Sequence, residues 1–159
     1  MVVDTIPCVI LLVLCCLTGS DAGSCSITAL CENSIPSESN QCGKAGTWRN
    51  ELSSVMKFTC RDGQIEGQYC SSVGKASYNY PMAGRYLQAE KNTTMLGWTV
   101  SWANKEQGNS ESATSWTGLS YGGQNTIHTQ WLLTMYSPVL WNSTLLNTDT
   151  FTQNMLRAL

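Results

Sequence analysis

Tryptophans and small hydroxyl residues share three short alternating runs, at residues 96–102, 112–116 and 129–133. Indole is the largest apolar side chain, and its N–H normally needs a hydrogen-bond partner when it is buried. Hydroxyl groups between indoles are not typical of a hydrophobic core. Flat apolar walls with a few fixed polar groups are instead typical of small-ligand sites. The pattern therefore predicts a binding cavity rather than a catalytic centre.

Strand alternation places side chains of these runs, and of others along the chain, on one common face. Taken singly, each of them is an ordinary core or surface residue, and only the set indicates a site. Its members are Trp48, Asn50, Ser54, Met56, Phe58, Tyr69, Ser71, Trp98, Trp102, Ser112, Thr114, Trp116, Trp131, Leu133 and Asp149.

Eight β-type runs must position these side chains. They lie at residues 45–51, 54–60, 64–71, 80–89, 95–103, 111–121, 126–136 and 145–152. Asp62-Gly63 favours a tight hairpin turn between the second and third runs. Short connections favour neighbouring antiparallel strands. We therefore predict an all-β fold, an eight-stranded antiparallel up-and-down β-barrel over residues 43–153, whose interior can hold one small ligand.

Composition excludes several other functions. Charged residues make up 13% of the chain and the formal net charge is −2, so neither nucleic acid nor an anionic membrane surface is an expected partner. His128 is the single histidine, and no cysteine or histidine spacing typical of a metal site occurs.

The N-terminus indicates secretion. Residues 9–17 are almost continuously apolar but too few to span a bilayer, and small residues follow them. We predict a signal peptide over residues 1–22, a flexible extension over 23–42 and a C-terminal tail over 154–159. Sequons at Asn92 and Asn142 support an extracellular glycoprotein.

Removal of the signal peptide leaves an odd number of cysteines, namely Cys25, Cys31, Cys42, Cys60 and Cys70. In an oxidising compartment at least one thiol is then free or pairs between chains. Spacing alone leaves the connectivity open.

The motifs in their order resemble those of the avidin/streptavidin family. The resemblance runs from about Gly46 to Thr152. It rests on Gly46-Thr47-Trp48-x-Asn50-x-Leu52-x-Ser54, Gly67-x-Tyr69-x-Ser71, Gly84-Arg85-Tyr86, Leu96-Gly97-Trp98-Thr99-Val100-x-Trp102, Ser112-Ala113-Thr114-x-Trp116, Thr129-Gln130-Trp131-Leu132-Leu133 and Asp149-Thr150-Phe151-Thr152.

This resemblance implies a non-catalytic protein that binds biotin as a ligand, without a cofactor. Asn50, Ser54 and Tyr69 would donate to the ureido oxygen, as preorganised donors do in an oxyanion hole. Ser71 and Asp149 would accept from the two ureido N–H groups.

The rest of the ligand would meet the remaining family positions. Thr114 would contact the thioether sulfur, while Ser112 and the loop at Val73, Gly74 and Lys75 would hold the carboxylate. The apolar walls would be Trp102, Trp116, Trp131 and Leu133. Trp48 and Trp98 would fill the closed end. Trp141 would reach the neighbouring subunit of a homotetramer whose contacts include Gln130, Leu132 and Leu146.

The cysteines depart from the family pattern. Cys42 matches a disulfide position of avidin, but Ser120 stands at the partner position. Register counting from the turn near Leu52 instead places Cys42 beside Cys60, so we predict a bridge between them. Cys70 is expected to point outward as a free or interface thiol. A glycan on Asn142 would crowd Trp141, which makes Asn92 the preferred carrier.

Three other interpretations fit parts of the sequence. One is a degenerate family member that keeps the barrel but serves in structure or binds something else, and the complete polar set argues against it. Gly46-Thr47-Trp48 also resembles the first strand of lipocalins, which would make the protein a carrier of another small apolar ligand. An enzyme would need a triad such as Ser54, His128 and Asp149. Alternation places His128 on the opposite face from Trp131, outside the barrel, so we expect no catalysis.

Overall fold

A computed structural model of the protein describes residues 37–73, 79–104, 108–139 and 142–153. The predicted signal peptide at 1–22 and the predicted tail at 154–159 both lie outside these residues. Within the described residues the chain forms eight strands, with short 3₁₀ turns at Ser37–Ser39 and Glu90–Asn92. The strands are β1 (Gly46–Asn50), β2 (Val55–Arg61), β3 (Gln64–Cys70), β4 (Asn79–Gln88), β5 (Thr94–Asn104), β6 (Gly108–Ser120), β7 (Thr126–Met135) and β8 (Thr144–Gln153).

The strands pair antiparallel in chain order, and β8 returns to β1 to close the barrel. This confirms the predicted eight-stranded up-and-down architecture. Strand ends agree with the sequence prediction to within a few residues, and the largest difference is at β6, which begins at Gly108 instead of 111. Asp62 and Gly63 both adopt positive φ at the β2–β3 turn, as a tight hairpin requires.

The chain before β1 seals one end of the barrel. Cys42 and Cys60 form a disulfide with a Cα–Cα distance of 5.8 Å, which confirms the predicted bridge. The carbonyl of Cys42 also accepts hydrogen bonds from Gln88 Nε2 at 2.7 Å and Thr94 Oγ1 at 3.3 Å. Residues 40–42, at the end of the predicted flexible extension, are thus tied to three strands.

Cys70 corrects an expectation. It is 2% exposed and disulfide-bonded, so the prediction of a free or interface thiol is wrong. Alternation along β3 correctly separates it from Tyr69, but parity alone does not reveal whether another part of the chain covers an outward position.

The barrel core lies between the sealed end and the middle of the strands. Trp48, Met56, Phe58, Ile65 and Ile127 are all almost completely buried there. The indole N–H of Trp48 donates to the carbonyl of Lys44 at 2.9 Å, which satisfies a polar atom that would be costly to bury alone. Within the described residues, no helix has the length and apolar character needed to cross a membrane.

Gly84 on β4 predicts a specific sensitivity. A Cβ there would lie 2.0 Å from the carbonyl oxygen of Gly97, whereas a Cβ at Gly97 would meet its nearest atom at 3.6 Å. Gly84→Ala should therefore lower the free energy of unfolding by about 2–3 kcal/mol, because the β4–β5 backbones must separate. Gly97→Ala, on the neighbouring strand, is the matched control and should change it by less than about 1 kcal/mol. Urea unfolding followed by tryptophan fluorescence measures both, and equal losses would contradict the steric argument.

Candidate functional site

A cavity opens at the end of the barrel opposite the disulfide. It encloses about 80 Å³, with indoles on one side and small polar side chains on the other. Its lining residues are Asn50, Leu52, Ser54, Tyr69, Ser71, Val73, Trp102, Thr114, Trp116, Trp131, Leu133 and Asp149.

The turn between β1 and β2 orients Asn50. The side-chain oxygen of Asn50 accepts the backbone N–H of Ser54 at 2.8 Å, and its backbone carbonyl accepts the N–H of Ser53 at 3.0 Å. Because the amide oxygen is engaged in the turn, the side-chain nitrogen is left to donate. Asn50 is 5% exposed, so the turn presents a buried, oriented donor to the cavity.

Ser54 links this turn to the segment after β3. Its hydroxyl oxygen accepts the backbone N–H of Ser72 at 3.0 Å, while the Ser72 hydroxyl donates to the carbonyl of Ser53 at 2.7 Å. Ser71 and Val73 are joined by a hydrogen bond from the Val73 N–H to the Ser71 hydroxyl oxygen at 3.2 Å. These contacts fix the polar corner of the cavity.

Tyr69 is buried beside this corner. Burial raises the pKa of its phenol well above the ordinary value of 10.0, and the negative charges of Asp149 and Glu51 raise it further, against an opposing hydrogen bond with Ser54. All of these except the Ser54 bond favour the neutral phenol. Tyr69 is therefore a hydroxyl donor throughout the physiological pH range.

Asp149 brings a carboxylate to the same cavity from β8. Its Oδ2 accepts the indole N–H of Trp116 at 3.2 Å, and the carboxylate-bearing residue is 5% exposed. The Thr129 hydroxyl donates to its backbone carbonyl at 2.9 Å. A carboxylate held in this way is a directed acceptor for a ligand N–H.

Aromatic contacts support the polar groups from behind. Trp116 lies between Tyr69 and Trp98, with ring centroids 5.0 Å and 5.8 Å away and both pairs stacked. Tyr80 and Tyr69 each meet Trp102 edge to face, at 5.1 Å and 5.7 Å. Such pairs restrict ring motion and add roughly 0.5–1.5 kcal/mol each beyond area burial.

Thr114 connects two parts of the wall. Its hydroxyl oxygen accepts the indole N–H of Trp102 at 2.8 Å, which leaves the hydroxyl proton available. Trp131 faces Trp116 across the β6–β7 pair, and its buried indole nitrogen has no hydrogen-bond partner. The wall is thus partly satisfied internally, while the buried indole N–H of Trp131 has no partner.

A family model for the Avidin family matches residues 38–154. The chain belongs to the Avidin family. The match covers most of the 159 residues and coincides with the closed barrel. Among the two barrel interpretations, it favours the avidin-like one over the lipocalin-like one.

Most of the avidin-family positions singled out from the sequence meet in this one cavity. Ser112 is not among the lining residues, and its hydroxyl lies 2.7 Å from that of Ser110. Gly74, Lys75 and Trp141 lie outside the described residues. Sequence reasoning missed one lining residue, Leu52, which was read only as part of a motif. It also left out Tyr80, which is the register partner of Tyr69 and packs edge to face on Trp102 behind the cavity.

The outer face of the same strands carries different groups. His128 is exposed beside Thr150, in an open groove of about 740 Å³, while Ser54 and Asp149 have their side chains inside the barrel. The hypothetical triad is therefore not assembled. Over residues 37–73, 79–104, 108–139 and 142–153, no cluster of three or more potential metal ligands occurs.

The raised pKa of Tyr69 makes stability depend on pH in a predictable direction. The fold favours the neutral phenol, so the pKa of Tyr69 is higher in the folded than in the unfolded chain. The free energy of unfolding therefore has its full value below about pH 10 and falls as the pH rises above it. Between pH 8 and 11.5 the wild-type chain should lose more free energy of unfolding than Tyr69→Phe. Urea titrations at several pH values measure the difference. Tyr86→Phe, at a less buried tyrosine, is the control, and parallel pH profiles for wild type and Tyr69→Phe would refute the assignment.

Proposed function

We propose that the chain binds biotin without catalysing a reaction. The observation that carries this proposal is a cavity in which buried, oriented donors and a carboxylate lie on one side and indoles on the other. Membership of the Avidin family supports the same ligand. A cyclic urea fused to an apolar ring matches both halves of such a cavity.

Asn50, Ser54 and Tyr69 would donate to the ureido oxygen. Three donors held before the ligand arrives favour a polarised carbonyl, because they need no reorganisation on binding. Asp149 and Ser71 would accept the ureido N–H groups. A charged acceptor also draws electron density toward the ureido oxygen, so donors and acceptors reinforce each other.

The apolar parts of biotin would lie along the indoles. Trp102, Trp116 and Trp131 would contact the ring system, with Leu133 beside them, and the free hydroxyl proton of Thr114 would face the sulfur. Val73, Gly74, Lys75 and Ser112 would hold the carboxylate. The open cavity of about 80 Å³ is below the ~300 Å³ of typical ligand pockets.

Titration with biotin tests the proposal directly. Tryptophan fluorescence of the wild-type chain should be quenched at one equivalent of biotin per chain. Asn50→Ala removes a buried donor and should weaken binding about 10–100-fold, the effect of leaving one buried polar partner unpaired. Asn147→Ala, at an exposed asparagine of β8, is the matched control and should bind like wild type.

Absence of quenching by biotin in the wild-type chain would overturn the proposal. Quenching by an apolar ligand such as retinol, with no response to biotin, would favour the lipocalin-like alternative. Equal affinities of Asn50→Ala and Asn147→Ala would show that the polar corner is not the ureido site.

We also propose a homotetramer in which Trp141 completes a neighbouring site. Leu132 and Leu146 are register partners on β7 and β8 and are 43% and 74% exposed on the outer face, with Gln130 beside them. Exposed neighbouring leucines are typical of a surface that another subunit covers. Assembly and biotin affinity would then be coupled by mass action.

Substitution of Leu146 tests this surface. Leu146→Glu would place a charge in the subunit contact and should lower the mass measured by size exclusion with light scattering, while biotin restores part of it. Leu87→Glu is the matched control, because Leu87 is a similarly exposed leucine, at 63%, on β4. Equal masses for the two variants would contradict a contact at Leu146.

Secretion and glycosylation complete the proposal. The Cys42–Cys60 disulfide is consistent with an oxidising compartment. Asn92 and Asn142 are both exposed, and Asn92 is the preferred carrier because it lies at the sealed end, away from the cavity. A secreted biotin binder would serve in sequestration of the vitamin from microbes or in its storage.

A further inference from the structure

Glu51 makes an unusual contact across the seam between β1 and β8. Strand β1 ends at Asn50, whose register partner is Phe151. The next register position on β8 is Thr150, and its backbone N–H donates to Oε2 of Glu51 at 2.9 Å. The carboxylate thus occupies the place of a backbone acceptor where the β1 ladder has ended.

The same peptide is held at its other end. The N–H of Thr150 and the carbonyl of Asp149 belong to one planar peptide group. That carbonyl accepts the hydroxyl of Thr129 at 2.9 Å. Side chains from the β1–β2 turn and from β7 therefore hold both polar ends of the peptide that carries Asp149 into the cavity.

We propose that Glu51 is a positioning residue for biotin binding, which fixes the Asp149 carboxylate for the ligand N–H. This inference rests on the proposed function. Glu51 is exposed and does not line the cavity, so it acts through the peptide and does not touch the ligand. Its acceptor oxygen matters for this role, and its charge does not.

Glu51 also acts on Tyr69 in a direction that helps the site. Its negative charge adds to burial and to Asp149 in raising the pKa of the phenol. This second effect depends on charge, whereas the contact with Thr150 depends only on an acceptor oxygen. An amide substitution therefore separates the two.

Biotin dissociation rates of three variants test the proposal. Glu51→Ala removes the acceptor and should accelerate dissociation about tenfold, the effect of one lost hydrogen bond. Glu51→Gln keeps a side-chain oxygen and should stay within about twofold of wild type. Thr152→Val is the matched control, because the Thr152 hydroxyl contacts the carbonyl of Arg49 at 3.4 Å on the same seam but away from Asp149. It should also stay within about twofold.

A second ligand and a second readout exclude a merely structural effect. A biotin methylated on the ureido nitrogen that faces Asp149 should dissociate equally fast from wild type and Glu51→Ala. Hydrogen exchange at the Thr150 amide should be faster in Glu51→Ala than in wild type or Glu51→Gln, with or without biotin.

Each alternative result overturns a defined statement. If wild type fails to bind biotin, the proposed function fails, while unchanged exchange at Thr150 would overturn the role of Glu51 by itself. If wild type binds and Glu51→Ala dissociates like wild type, positioning by Glu51 is refuted. Positioning by Glu51 is also refuted if Thr152→Val or Glu51→Gln accelerates biotin dissociation as much as Glu51→Ala does. The same holds if Glu51→Ala accelerates dissociation of the methylated ligand.

Discussion

Closure of the sheet between β1 and β8 is the constraint on which the rest of the structure depends. This seam has only three register pairs, Trp48–Gln153, Arg49–Thr152 and Asn50–Phe151. Asn50 and Asp149 come from opposite ends of the chain and reach one cavity only because the seam forms. The Glu51 side chain extends it where the backbone pairing stops, and the Thr152 hydroxyl donates to the Arg49 carbonyl within it. Closure also leaves no open sheet edge for another chain to pair with.

The aromatic stack depends on that closure and in turn strengthens the polar site. Trp98, Trp116 and Tyr69 come from three strands and stack because the barrel brings their inward faces together. They lie against the buried donors and Asp149, and hydrogen bonds are stronger in a low-dielectric setting. The pKa of Tyr69 is raised by the same burial and by the neighbouring negative charges.

Much of this arrangement follows from local sequence patterns. Alternation predicted the strands and the residues that share the inner face, and Asp62-Gly63 predicted a tight turn. Register counting also predicted the bridge between Cys42 and Cys60, since both lie close to strands whose pairing is defined by short hairpins. Tyr80 was missed because its strand carries no conspicuous polar or indole pattern.

Two other features depend on distant parts of the chain and were beyond sequence reasoning. Cys70 alternates as an outward residue, yet it is buried and disulfide-bonded. Glu51 resembles an ordinary charged turn residue, and its partner Thr150 is 99 positions away. Local periodicity does not show which outward positions are covered by a segment far away in the sequence. Nor does it show which turn side chain accepts a backbone hydrogen bond from a distant strand.

The packed segment around Cys42 closes one end of the described barrel, and the cavity opens at the other. Trp48 is fully buried next to this closed end. A ligand therefore enters and leaves through the same opening, and the part that enters first leaves last. Anything attached to the occupant has to trail from its outer end. A linker on that end could therefore carry a large cargo outside while the inner contacts stay intact.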